Sequence, residues 1–145
     1  MKVKSTVHPL PITWEAHEGT MTLRLTDSPR RVLTENGEEW EYEEYTLTVP
    51  KREDPARTLL PHAAFWLRLA QQQEKDLLAS RLRAQRDALL AASDWTQCAD
   101  TPLSADAVHA WAAYRKQLRD LPLCDGFPYA VSLPTPPHAE VNEDA

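Results

Sequence analysis

The chain has 145 residues, enough for one domain or for two small ones sharing a modest core. An apolar fraction of 42% excludes wholesale disorder, and a net charge of −6 argues against a general duplex-binding surface, which needs clustered positive charge. Arg68, Lys75 and Asp76 interrupt the longest helix-like stretch and exclude a membrane-spanning reading. The opening MKVKSTVHPLPITW lacks the apolar core of a signal peptide, so export is not expected.

Residues 1–19 are poorly periodic, with Pro9 and Pro11, although residues 12–15 offer a short strand. Residues 20–26, TMTLRLT, alternate cleanly. Met21, Leu23 and Leu25 fall on one side, the period of a half-buried strand. Ser28-Pro29 reads as a turn. Asn36-Gly37, between extended segments, signals a hairpin whose two central residues need positive φ. In the following EEWEYEEYTLTVP, Tyr45, Leu47 and Val49 alternate, while Trp40 and Tyr42 have the opposite parity. A bulge near Glu43-Glu44 would bring both sets to one face; otherwise the strand is buried on both sides. Three or four antiparallel strands are expected across residues 12–49. Six of the ten residues from 35 to 44 are acidic. This run reads as a sheet edge guarded by charge, or as a docking surface for a basic partner.

Residues 50–61, PKREDPARTLLP, carry three prolines and a run of charge that should interrupt regular structure. From Pro61 to Ser93 there is no further proline, no glycine and no β-branched residue. That composition predicts either one helix of about 30 residues, roughly 45 Å long, or two helices separated near residues 71–73. In its second half Leu78, Leu82 and Leu89 form a stripe, interrupted by Gln85 and widened by Leu77, Ala84 and Ala88. Ser93-Asp94 ends it. Ser104 is an N-cap candidate with Asp106 in the first turn, and a second helix runs to about Asp120. Its inner stripe is Val108, Trp111, Tyr114 (or Arg115) and Leu118, and Pro122 stops it. The two helices should pack antiparallel, with Trp95 against the base of the hairpin. After Pro122 the signals are those of extended chain. Residues 130–133 offer a strand, Pro134, Pro136 and Pro137 favour a polyproline-like path, and residues 139–145 should fray.

The fold class expected is therefore α+β. A small N-terminal antiparallel β module, residues 1–56, precedes a long helix, a helical hairpin and an extended proline-rich tail, residues 57–145.

Side chains for chemistry are sparse in pattern. Three glycines, at 19, 37 and 126, cannot form a phosphate-cradling loop. The histidines at 8, 17, 62, 109 and 138 lack HExxH spacing, and no CxxC pair exists, so neither a metal nor a cofactor is expected. Cys98 and Cys124 read as free thiols in a reducing compartment. Arg81, Arg83 and Arg86, with Arg115, Lys116 and Arg119, read as a solvated helix surface diluted by Asp76, Asp87 and Asp120, which leaves nucleic acid disfavoured as a partner. No catalytic residue is assigned. The partner-binding candidates are Trp66, Trp95, Phe127 and Tyr129, because large aromatic anchors concentrate binding energy.

Between residues 81 and 137 one series of blocks is specific. Arg86, Leu89-Leu90, Ser93-Asp94-Trp95-Thr96-Gln97, Pro102-Leu103-Ser104, Trp111, Tyr114-Arg115, Leu118-Arg119-Asp120, Phe127-Pro128 and the proline run at 134–137 follow in order. This series, within roughly residues 75–137, resembles the bacteriophage tail assembly chaperone family, also described as tail fibre assembly-like proteins. Tyr129 and Leu133 depart from it, standing where the family usually has tryptophan. The resemblance implies a non-enzymatic assembly role in the cytoplasm of a bacterial host, without cofactor, and a phage tail or tail fibre protein as partner. The alternatives are a structural component retained in the tail or baseplate, or a nucleic-acid-binding regulator. No membrane is implied. Both a homodimer through the long helix and a monomer stay open.

Overall fold

The computed structural model describes residues 1–138. It is α+β, with four antiparallel strands, β1 (Lys2–Ser5), β2 (Ile12–Ala16), β3 (Thr20–Thr34) and β4 (Gly37–Pro50), followed by helices α1 (Pro55–Leu59), α2 (Ala63–Ala92) and α3 (Ala105–Asp120). The chain forms two compact units, Met1–Glu74 and Lys75–Ala145, and α2 runs through the boundary. The stretch expected to fray, residues 139–145, lies outside the described residues.

In the first unit the strand order is β1-β4-β3-β2. The alternation read from residues 20–26 decides which face is apolar. Met21, Leu23 and Leu25 pair with Ala16, Trp14 and Ile12 on one side and with Val49, Leu47 and Tyr45 on the other. Directly paired residues share a face, so these side chains form one surface. Leu59 of α1 and Ala63, Trp66, Leu67 and Ala70 of α2 complete that core, the α2 residues at steps that keep them on one helix face.

Four expectations change. Strand β1 forms from residues without a periodic signal, because its partner Tyr42 already offers an apolar neighbour to Val3. Ser28-Pro29 is not a turn. It is a bulge inside β3, between the pairs Asp27↔Glu43 and Arg30↔Glu41, with Ser28 at φ +49. Pro29 has no N–H for the ladder, so the irregularity settles there rather than at Glu43-Glu44 of β4. The hairpin loop is Glu35-Asn36, closed by Thr34↔Gly37, and the positive φ falls on Gly37 (+112). Finally, residues 50–61 are not free of regular structure. Asp54 accepts a hydrogen bond from the Arg57 N–H at 3.1 Å and caps α1, with Pro55 in the first turn.

The acidic run is also relocated. β4 lies between β1 and β3, and β1 covers Trp40–Glu43, so Glu41 and Glu43 do not stand on an edge, whereas Glu38 and Glu39 lie beyond the β1 pairing. Cations on the flanking strands match the run instead. Arg24 pairs with Glu44, Arg30 with Glu41 and Arg31 with Glu38, and Lys2 and Lys4 lie opposite Glu43 and Glu41. The hydrogen bond from Arg30 holds the Glu41 carboxyl below its ordinary pKa.

Tyr45 closes the apolar face beside the bulge. Its hydroxyl donates to Glu43 Oε2 at 3.0 Å, and burial, reinforced by that carboxylate, pushes the phenol up to about 12. The folded chain therefore keeps the phenol neutral where an unfolded chain, with a pKa near 10, ionises it. The resulting stabilisation is complete below about pH 10 and is lost as pH rises through about 12. Urea midpoints measured across that window should fall more steeply for the parent than for Tyr45→Phe. Parallel slopes would remove Tyr45 from the account.

Candidate partner-binding surface

The second unit is built around the antiparallel return of α3 along the end of α2. Contacts between the two arms step in opposite directions. The Gln97 side chain reaches the Val108 carbonyl, Arg115 reaches Leu90 and Asp94, and Arg83 lies over the Phe127 ring. Composition makes α2 one unbroken helix through residues 71–73, as Ala, Leu, Gln, Glu, Lys and Arg all favour that state. Its inner side in this unit carries half-buried Leu78, Leu82, Arg86, Leu89 and Leu90, with Ala79 and Ser93 fully buried. Leu77, Ala84 and Ala88, expected to widen the stripe, are exposed instead.

Helix α3 follows its local signals closely. Ser104 Oγ accepts the Ala107 N–H at 3.2 Å, and Asp106 stands in the first turn. Tyr114 and Leu118 are buried on the expected stripe. Trp111 stands edge-on to Tyr114, with ring centroids 5.6 Å apart, and Trp95 packs on Trp111 at 6.3 Å.

The least anticipated residue is Arg115. The sequence offers it both as a surface cation and as an alternative to Tyr114 on the inner stripe, and the structure leaves only 7% of it exposed. Its guanidinium donates to the Leu90 carbonyl at 2.7 Å, to Ser93 Oγ at 2.8 Å and to Asp94 Oδ1 at 2.6 Å. At the end of α2 the Leu90 carbonyl accepts the Ser93 N–H at 3.2 Å, and Arg115 adds a charged donor to it from the neighbouring helix. Ser93 and Thr96, both buried, complete this polar corner, where Thr96 Oγ1 donates to the Ser93 carbonyl at 2.7 Å. An arginine one step from Tyr114 on an otherwise apolar stripe was the available signal.

Beyond α3 a 3-10 turn, Leu121–Leu123, leads into a tight loop. Gly126 holds φ +84, and a Cβ there would lie 2.9 Å from the Ala130 Cβ, so the turn needs glycine. Residues 130–133 do not form the strand their composition suggested, and they lie outside any ladder.

The four aromatic candidates are distributed rather than gathered. Trp66 belongs to the first unit, where it packs half-buried against the sheet core. Trp95, 44% exposed, marks the turn of the hairpin. Phe127 is half-buried beneath Arg83, and α2 rises roughly 14 Å between Arg83 and Ala92, so Phe127 sits well away from that turn. Tyr129, 58% exposed, follows in the same loop, as Leu123 precedes it. Sequence reading did not single out Leu123, which is 82% exposed, because a lone leucine beside a proline carries no pattern. Cys98 and Cys124 are exposed free thiols. Among the described residues no group of three or more His, Cys, Asp or Glu side chains could hold a metal, and His109 turns its Nδ1 onto the Ala105 carbonyl of its own helix.

This arrangement offers apolar and aromatic surface on a helical clasp. Residues 79–138 match the phage tail assembly chaperone protein family. The match bears out the resemblance carried by residues 81–137 and supports a role in phage tail assembly. It takes in the Arg115 corner, Trp95, Phe127 and Tyr129, and leaves out the whole sheet and Trp66. No curated protein and no solved structure matches the chain. No helix of the described chain is long and apolar enough to cross a membrane.

Proposed function

We propose that the protein is a non-catalytic assembly chaperone or adaptor that binds a phage tail or tail fibre protein in the bacterial host cytoplasm. The observation that carries this reading is the coincidence of the tail assembly chaperone match with the segment exposing Trp95, Leu123 and Tyr129. Large exposed aromatics are costly to leave in water and concentrate energy when covered. A partner held there is kept from premature association until it is handed to the growing tail.

Co-expression with phage tail and tail fibre proteins, followed by affinity capture, tests the proposal. A tail or tail fibre protein should be retained. Trp95→Ala and Tyr129→Ala should each weaken its capture at least about tenfold, the scale of one anchoring aromatic. Capture of no tail protein by a folded chain would sink the reading. Stoichiometric recovery of the chain from purified particles would replace it with that of a retained structural component.

A further inference from the structure

We infer that the first unit carries a separate docking groove for an acidic segment of a protein partner. The groove has a volume of about 590 Å³ and is lined by Arg52, Arg57, Thr58, His62, Phe65 and Trp66. It arises where the chain leaves β4 and enters α2. Arg52 follows the strand, Arg57 and Thr58 lie on α1, His62 ends a 3-10 turn, Leu60–His62, and Phe65 and Trp66 open α2.

Charge is the first argument. The chain has 22 acidic and 16 basic residues, and the sheet arginines Arg24, Arg30 and Arg31 each face a glutamate. Among the described residues, no carboxylate stands within ion-pair distance of Arg52, Arg57 or His62. Glu53 and Asp54 adjoin Arg52 in sequence, but neither lines the groove, and Asp54 is occupied in capping α1. Two uncompensated guanidiniums on one concave surface complement carboxylates, which they can hold by paired hydrogen bonds.

Shape and unmet hydrogen bonding point the same way. Phe65, 52% exposed, meets Trp66 edge-on at 5.2 Å, and the Arg52 guanidinium lies 5.2 Å from the Trp66 ring. This pairing gives an apolar wall beside the cations, suited to a segment that mixes acidic and apolar residues. Arg52 Nε and Trp66 Nε1 are both buried donors without an acceptor among the described residues, an arrangement that native interiors rarely leave. A polynucleotide is the poorer occupant, since the chain is net negative and two arginines make no track along a phosphate backbone. The groove lies outside residues 79–138, so the inference does not rest on the tail assembly reading.

The test uses the full chain and a fluorescein-labelled, end-blocked peptide alternating glutamate and leucine, followed by fluorescence anisotropy. The peptide should bind saturably and more weakly as salt rises. Arg52→Gln and Arg57→Gln should each weaken it about tenfold, with the far-UV circular dichroism unchanged. Arg57 is exposed, so its variant decides the matter should Arg52→Gln disturb folding. Four results would overturn the inference: no binding of the acidic peptide, equal binding of a peptide with lysine in place of glutamate, unchanged affinity in Arg57→Gln, or preferential binding of an oligothymidylate.

Discussion

Truncating Arg115 to alanine should destabilise the helical clasp by roughly 2–4 kcal/mol, which combines lost charge-assisted hydrogen bonds with a void in the interface. Three partners lose the Arg115 donor together, Leu90 O, Ser93 Oγ and Asp94 Oδ1, although Leu90 O keeps the Ser93 N–H. They are not equally affected. The Asp94 side chain is 68% exposed and regains water, whereas Ser93 is buried and has only the helix-end carbonyls of Leu89 and Leu90 left. Most of the cost therefore lies at the end of α2 rather than in the ion pair. Arg115→Lys keeps the charge but not the planar fork, and should recover only part of the loss. Asp94→Asn keeps an acceptor oxygen and should cost about 1 kcal/mol or less. Urea unfolding of the three variants checks this order. If Arg115→Ala matched the parent within about 0.5 kcal/mol, the polar corner would not be what holds the two arms together.

Leu23→Ala should weaken the first unit by about 2–5 kcal/mol. Leu23 is fully buried in the middle of the apolar face, opposite Trp14 on β2 and Leu47 on β4. Its removal leaves a void that strands on both sides would have to shift to fill. Leu33, on the same strand but 85% exposed beyond the bulge, is the matched control, and Leu33→Ala should change stability by less than about 0.5 kcal/mol. Loss of amide protection across β2, β3 and β4 in Leu23→Ala alone would locate the effect. Equal behaviour of the two leucine variants would mean that the sheet face is not the core of this unit.

Much of the architecture was legible because it rests on local rules. The Met21-Leu23-Leu25 alternation, the glycine-free run of α2, the Ser104 cap and the length of α3 each depend on residues within a turn or two of one another. The family blocks were legible for the same reason, since they follow one another in order along the clasp. The bulge was missed because Ser28-Pro29 carries the signature of a turn, and only the continued pairing of β3 with β4 keeps the chain extended there.

Among the candidate site residues, the sequence could nominate Trp66, Trp95, Phe127 and Tyr129 by type, but not place them. Trp66 has its neighbours in the sheet, while Trp95 and Phe127 are separated along the clasp by the rise of α2. Arg115 shows the limit most clearly. Its place beside Tyr114 offered it for the inner stripe, but a cation near a helix C-terminus is equally favourable in solvent, so the local pattern does not decide between the two.

By itself, then, the sequence determined β3, the long helix and α3, the apolar stripes of β3 and α3, and the absence of a familiar catalytic motif, because these follow from periodicity and residue chemistry. Only the tertiary structure decided that the acidic strand lies between β1 and β3, that Arg115 closes the helical corner, and that Arg52, Arg57, Phe65 and Trp66 share a groove. Strand order, burial and the meeting of distant side chains are set by long-range packing, which no local pattern encodes.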